Sequence, residues 1–314
     1  MTATVTPSRR ATPKVRVGAG AGLAPWLLLA PVLLLVIGLR VVPMLVALVM
    51  SFTDLDLGSP AGTTQFVGAA NYQAVLNSVD FQEALWVTIA IVGPALALEM
   101  LIGLGIALWL DRETKTRRAV RMIVLFPYLF VPVVIGLFFR MFFNAQFGQL
   151  NYYLGLVGIS PEAWLTNPVT VRWTVVAMEV WHTTPFVALL VLAGLAGIPR
   201  EAIEAAMVDG ANAWQRFRYV TLPSLLPVLG AVVVLRGMDA LQLFDEVYVM
   251  TGGGPGRLTS VINMYLYQFG FRQFRLGETS AAVTIFVGAL ALVALIGLLI
   301  VRQRRRWVEV SGTR

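Results

Sequence analysis

EAAMVDGANAWQRFRYVTLP, residues 204–223, is a hydrophilic interruption between two long apolar stretches, and its reading decides the rest of the chain. A loop joining two apolar spans needs only a few polar residues, yet this one carries two short helical patterns joined at a glycine. In the first, Ile203, Ala206 and Met207 fall at i, i+3 and i+4, while Glu201, Glu204 and Asp209 lie on other faces. Asp209-Gly210 interrupts that helix, because glycine readily takes the backbone angles of a sharp reversal. Asn212 is placed to cap a second helix, with Gln215 three residues on in capping-box spacing. The apolar positions Ala213, Phe217 and Val220 again repeat at four and three. Leu222-Pro223 is expected to end this element and open the next span, with proline in the first turn where no amide donor is needed. Two readings fit the pattern. The pair docks on a partner protein, or it lies as an interfacial hairpin among lipid headgroups.

The order Glu204-Ala205-Ala206, then Gly210, then Val220-Thr221-Leu222-Pro223 resembles the EAA loop of ABC-importer permeases. The family pattern is EAA, three residues, Gly, nine residues and Ile-x-Leu-Pro, with Val220 here in the place of isoleucine. The resemblance implies a loop that docks into a cleft on a cytoplasmic ATPase. The residues it assigns to docking are Glu204, Ala205, Ala206, Asp209, Gly210, Ala211, Phe217, Leu222 and Pro223.

Composition independently sets the class. The chain is 58% hydrophobic and 13% charged, far from the balance of a soluble domain. It has no cysteine, so disulfides and thiolate metal sites are excluded. Residues 1–22 are polar, small and basic and read as a disordered tail. Apolar runs follow at 23–52, 81–110, 122–143, 171–198, 223–248 and 279–301. At about 1.5 Å of rise per residue, each run is long enough to cross about 30 Å of hydrocarbon. The first run is too long for a signal peptide and lacks a convincing cleavage site. The expectation is an all-α polytopic membrane protein with six transmembrane helices. Its parts are the tail 1–22, the first helix 23–52, an outer loop 53–80, a five-helix core 81–301 that includes the loop 199–223, and a basic tail 302–314.

The net charge of +7 at pH 7 is a matter of topology. Arg9, Arg10, Lys14 and Arg16 precede the first run; Arg112, Lys115, Arg117, Arg118 and Arg121 fill the next loop on that side. Arg200, Arg216 and Arg218 flank or occupy the Glu204 loop, and Arg302, Arg304, Arg305, Arg306 and Arg314 close the chain. These are seventeen of the twenty-four basic residues, while the 53–80 and 144–170 loops have none. Both termini and the Glu204 loop are therefore expected on the cytoplasmic side. No nucleic-acid partner is needed to account for the charge.

SFTDLDL at 51–57 with FVGAANY at 66–72, EVWHTTPF at 179–186 and FDEVYVMTGGGPG at 244–256 resemble the sugar-type permeases of the same family. That resemblance implies the type I importer permease fold, in the cytoplasmic membrane of a bacterium. It implies import of a sugar or oligosaccharide by alternating access, in the group that includes maltose, trehalose and glycerol-3-phosphate systems. The partners it implies are a homologous second permease, two ABC ATPase subunits and an extracytoplasmic sugar-binding protein. The glycines at 252–254 do not make a phosphate loop, which needs Gly-x-x-x-x-Gly-Lys-Ser/Thr; Lys14 and Lys115, the only lysines, stand in no such setting. They are expected to form a tight outer turn. The chain is thus expected to be no ATPase and to carry no cofactor, with ATP and Mg²⁺ held by the partner ATPases.

Polar residues inside the spans are costly and mark function or packing. Arg236 and Asp239 lie three apart and are expected to pair on one helix face, with Gln242 and Asp245 at further steps of three. Gln242 is the leading sugar contact, because an amide both donates to and accepts from hydroxyls. Asp239, Asp245, Glu179 and Trp181 are its candidate companions, the indole as a stacking surface. His182 is the only histidine, so no histidine metal cluster or histidine-based triad is expected, and a packing role is favoured. Arg40 and Glu99 are also intramembrane, without partners legible in the sequence. An ion-gradient secondary transporter is the competing function, but no repeat halves are found. An intramembrane enzyme is disfavoured, since the spans show no serine–histidine or metal-ligand constellation.

Overall fold

The computed structural model describes residues 24–56, 58, 64–111 and 115–311, and the surroundings of side chains within 26–56, 58, 64–111 and 119–295. The 1–22 tail, Leu57, Arg112 and the last three residues lie outside this range. The described chain is almost wholly helical; its only strand pairing there is one bridge between Thr53 and Phe66. It divides into two units, with the first ending at Val49. That unit is α1 (Ala24–Val36), a π turn (Ile37–Val41) and most of α2 (Val42–Met50). Together Trp26–Met50 has a mean hydropathy of 2.8 and is apolar apart from Arg40, long enough to cross a membrane. Arg40 sits in the π turn, exposed, with no ion pair among the described residues.

The second unit holds α3 (Ala70–Asn77), α4 (Val79–Leu110), α5 (Lys115–Leu125), α6 (Pro132–Phe142), α7 (Gln149–Leu156) and α8 (Val171–Ala196). It continues through α9 (Arg200–Val208), α10 (Ala213–Arg216), α11 (Leu222–Ala240), α12 (Asp245–Met250), α13 (Ile262–Tyr267) and α14 (Leu276–Ser311). Five described helices are long and apolar enough to cross a membrane, and a bent pair makes a sixth span if it is counted as one. The pair is Ala119–Leu129 and Pro132–Phe142, broken by 93°. The run expected at 122–143 is this bent pair: Pro127 and Pro132 each withhold an amide, and Phe130 and Val131 are extended before the second proline.

The span expected at 223–248 is corrected at both ends. Leu222-Pro223 does not separate the loop from the span. α10 passes through a π turn (Phe217–Thr221) straight into α11, so that one helix runs from Ala213 to Ala240. The turn widens where Pro223 has no amide to give, and Leu222 N–H reaches back to the Phe217 carbonyl. At the other end the helix stops at Ala240, and Asp245 begins the separate α12. Asn263 Nδ2 caps this break by donating to the carbonyls of Leu241 (3.0 Å) and Leu243 (3.4 Å). Two further segments are helical. The 53–80 loop contains α3, and α14 continues to Ser311 through most of the expected tail, where arginines favour helix. Gly252, Gly253 and Gly256 all have positive φ, as a tight turn after α12 requires.

One apolar core joins α4, α6, α8 and α12 around Ile91, Val175, Met178 and Val247; another joins α4, α8 and α11 around Ala107, Val187, Val191 and Val232. α4 and α8 approach through Gly103: a Cβ there would lie 2.7 Å from Val187 Cγ1 and 3.2 Å from the Ala188 nitrogen. A Cβ at Gly105, one half-turn away, would meet nothing within 4 Å. Gly103→Val should therefore cost about 1–3 kcal/mol of stability through overpacking. Thermal unfolding in detergent should show a lowered midpoint for Gly103→Val and none for Gly105→Ala; equal midpoints would contradict this packing.

Candidate functional site

Arg236 on α11 is among the largest fully buried side chains, 1% exposed. Its guanidinium grips Glu99 of α4 in a fork, Nε to Oε2 at 2.8 Å and Nη2 to Oε1 at 3.1 Å. The same Nη2 donates to Glu179 Oε1 and to Thr183 Oγ1 on α8, and Nη1 reaches Asp239 Oδ2 at 3.1 Å. The expected Arg236–Asp239 pair is present, but it is the outer edge of a larger cluster. Three helices meet at one cation, and Glu99, whose partner the sequence did not reveal, is 0% exposed beneath it. A planar guanidinium with five donors suits this role better than a lysine.

Beside the cluster lies a cavity of about 330 Å³. Tyr128, Phe130 and Pro132 line it from the bend between α5 and α6, and Glu179, His182 and Thr183 from α8. Asp239, Gln242 and Leu243 line it from the end of α11, and Asp245 and Glu246 from α12. Four of the five candidate path residues thus share one cavity: Gln242, Asp239, Asp245 and Glu179. Asp245 reaches it because the chain breaks after Ala240; a continuing helix would have carried it aside. Trp181 is elsewhere. It is two residues from Glu179, about 200° round the helix, and it packs against Phe138 and Phe139 with ring centroids at 6.2 and 5.5 Å. The residues that accompany Glu179 are His182 and Thr183, at i+3 and i+4, a spacing visible in the sequence. The walls offer carboxylates that accept hydroxyl protons and the Gln242 amide, whose Nε2 meets only Met238 O at 3.3 Å among the described residues.

One corner of the cavity departs from expectation. Glu179, His182 and Glu246 bring three metal-type ligand atoms within 4.8 Å of one another, all buried. A single histidine excludes a histidine cluster, yet two carboxylates complete a ligand set that sequence spacing does not show.

The 199–223 loop folds as its residues dictate. α9 ends in a Schellman motif: Ala211 N–H bonds Ala206 O at 2.9 Å and Gly210 N–H bonds Met207 O at 3.1 Å, with Gly210 at φ +79°. The Asn212–Gln215 capping box is complete, at 2.8 and 2.9 Å. Arg216 Nη1 adds a bond to Ala211 O at 2.8 Å. Glu204, Ala205, Asp209 and Pro223 are exposed, while Ala206, Ala211, Phe217 and Leu222 are half-buried. Val208, Trp214 and Tyr219 stand 87%, 68% and 73% exposed on this loop.

Removing the guanidinium would leave two buried carboxylates without a cation. Arg236→Met should lower stability by about 3–5 kcal/mol. Adding Glu99→Gln and Glu179→Gln should restore much of it. Protein recovered from membranes and its unfolding midpoint test this; a triple variant no better than the single one would contradict it.

The family model described as the binding-protein-dependent transport system inner membrane component matches residues 99–307. The trehalose/maltose transport system permease protein MalF of Thermococcus litoralis is 38% identical over 243 residues, covering 77% of this chain and 81% of that protein. The trehalose transport system permease protein SugA of Mycobacterium tuberculosis is 35% identical over 271 residues, 86% of each chain. In structure, a chain of a bacterial alginate ABC transporter, solved with an alginate pentasaccharide-bound periplasmic protein, superposes with a TM-score of 0.79. It is 22% identical, with 90% of this chain and 94% of that chain covered, and it shares the fold. With the motif order, the spans and these matches in agreement, the chain belongs to the family of inner membrane components of binding-protein-dependent transport systems.

Proposed function

We propose that this chain is the membrane-spanning permease subunit of an ATP-driven importer that moves a carbohydrate across the cytoplasmic membrane by alternating access. The observation that carries the reading is the single helix Ala213–Ala240. It begins in the capped loop and, in its last turn, places Asp239 on the wall of the polar cavity. A rigid element of this kind transmits a displacement of the loop to the cavity, which is what alternating access requires. The exposed Val208, Trp214 and Tyr219 give the loop an apolar surface suited to a partner. In this reading the loop seats on the ATPase with both termini on its side of the membrane, and the ATPases hold ATP and Mg²⁺. A second permease completes the pathway, and an extracytoplasmic binding protein delivers the sugar. Trehalose- and maltose-type names among the relatives support the carbohydrate class. Nothing in the family match supports an ion-gradient carrier.

Glu204 is exposed and placed to accept charge-assisted hydrogen bonds, each worth about 1.5–3 kcal/mol. Proline at 210 cannot adopt φ +79° and deletes the amide that bonds Met207 O. Glu204→Ala and Gly210→Pro should reach the membrane yet lower ATP-dependent uptake by roughly tenfold or more. Wild-type uptake by both variants at equal expression would exclude docking through this loop.

Gln242→Ala tests the cavity. It removes a side chain whose one hydrogen bond among the described residues is to the last turn of α11, so assembly should persist while the apparent KM for the sugar rises. Reduced assembly with unchanged KM would make Gln242 a packing residue; normal assembly and normal uptake would place the sugar path elsewhere.

A further inference from the structure

The corner of the cavity at Glu179, His182 and Glu246 holds two buried acceptor atoms, Glu179 Oε2 and His182 Nδ1, that no donor among the described residues meets. The three residues are 4%, 5% and 7% exposed. His182 Nε2 lies 3.3 Å from the Phe130 carbonyl, which can only accept, so this nitrogen carries the proton and Nδ1 presents a lone pair. That lone pair lies 3.8 Å from Glu246 Oε1, beyond hydrogen-bond distance. Glu179 spends Oε1 on Arg236, while its Oε2 is buried without a hydrogen-bond partner, as is His182 Nδ1. Two buried lone-pair atoms that face one cavity are placed to take a shared partner from it.

The charges point the same way. Glu99, Glu179 and Glu246 are three buried carboxylates, and Arg236 is the one buried basic side chain among the described residues. Glu99, Glu179 and Asp239 already share the Arg236 guanidinium, which leaves Glu246 without an arginine or lysine partner among the described residues. A proton between Nδ1 and Glu246 would satisfy one pair and leave Glu179 Oε2 unpaired; an ion contacts all three.

We propose that this corner is a binding site for a divalent transition-metal ion, held by Glu179 Oε2, His182 Nδ1 and a carboxylate oxygen of Glu246. An imidazole with two carboxylates is a donor set for zinc and its neighbours rather than for calcium or magnesium. The surroundings already orient it. The Phe130 carbonyl fixes the histidine tautomer, and Arg236 fixes the Glu179 carboxylate. Bound there, the ion ties α8 to α12, and its remaining coordination positions face the cavity.

The inference does not depend on which solute is carried, and its test uses metal alone. Full-length, tag-free protein purified from membranes would be stripped with EDTA, then titrated with Zn²⁺ and its metal content measured. The wild type should retain one equivalent and its unfolding midpoint should rise on Zn²⁺ addition. His182→Gln and Glu246→Gln should each weaken binding by tenfold or more. X-ray absorption of the loaded protein should report a mixed nitrogen and oxygen shell. Should either variant fail to fold, the wild-type midpoint and absorption spectrum decide alone. A wild type that binds no Zn²⁺, or whose variants bind it as tightly, would overturn the site.

Discussion

The structure depends on where a single guanidinium is buried. In a membrane the spans cannot be held together by the hydrophobic effect alone, since lipid is as apolar as leucine. Close packing at small residues and satisfied polar contacts must do that work. Arg236 supplies the second by binding Glu99 and Glu179 at once, joining α4, α8 and α11. Gly103 and Gly194 supply the first, letting α8 approach α4 and α11 at Val187 and Val228. The ion cluster also sets polarity. Because the guanidinium is consumed by its partners, the adjacent cavity presents carboxylates, an amide and an imidazole rather than free basic groups.

Irregular backbone at membrane depth is tolerated only where it is buried in protein or lines a cavity. Two breaks obey this rule here, and both border the same space. The bend between α5 and α6 frees the Phe130 carbonyl, which meets His182; the break between α11 and α12 frees the Leu241 and Leu243 carbonyls, which meet Asn263. The cavity is thus a consequence of prolines and of one asparagine as much as of its own lining. In the proposed importer, the helix that ends at this break begins in the coupling loop, so the cavity and the loop are two ends of one rigid body.

The loop was the most legible part of the chain, because caps and glycine turns are local chemistry. Gly210 and the Asn212–Gln215 pair behave as their residue types require, and each apolar run falls on helix, although the 122–143 run is bent and the 223–248 run is displaced. What sequence periodicity missed was tertiary. A helical wheel continued through Gln242 to Asp245 assumes an unbroken helix, whereas the break at 241–244 is held by Asn263, twenty residues on. Trp181 was misplaced for the opposite reason: two residues from Glu179 already means another face. Arg236 could have been matched to Glu99 and Glu179 by counting, since buried charges in spans must nearly cancel, but the count does not say which helices adjoin. Likewise the approach of Glu246 to His182 follows from the break and from no spacing in the sequence.

The central claim is that the loop drives the cavity through the helix Ala213–Ala240. The chain has no cysteine, so Gln242→Cys gives a single reporter on the cavity wall in this subunit. Its rate of modification by a membrane-impermeant thiol reagent, added from the outer side, would be followed in the assembled importer with and without a non-hydrolysable ATP analogue. The account predicts a nucleotide-dependent change in rate that disappears when Glu204→Ala is added. A rate indifferent to nucleotide, or the same response in both backgrounds, would contradict it.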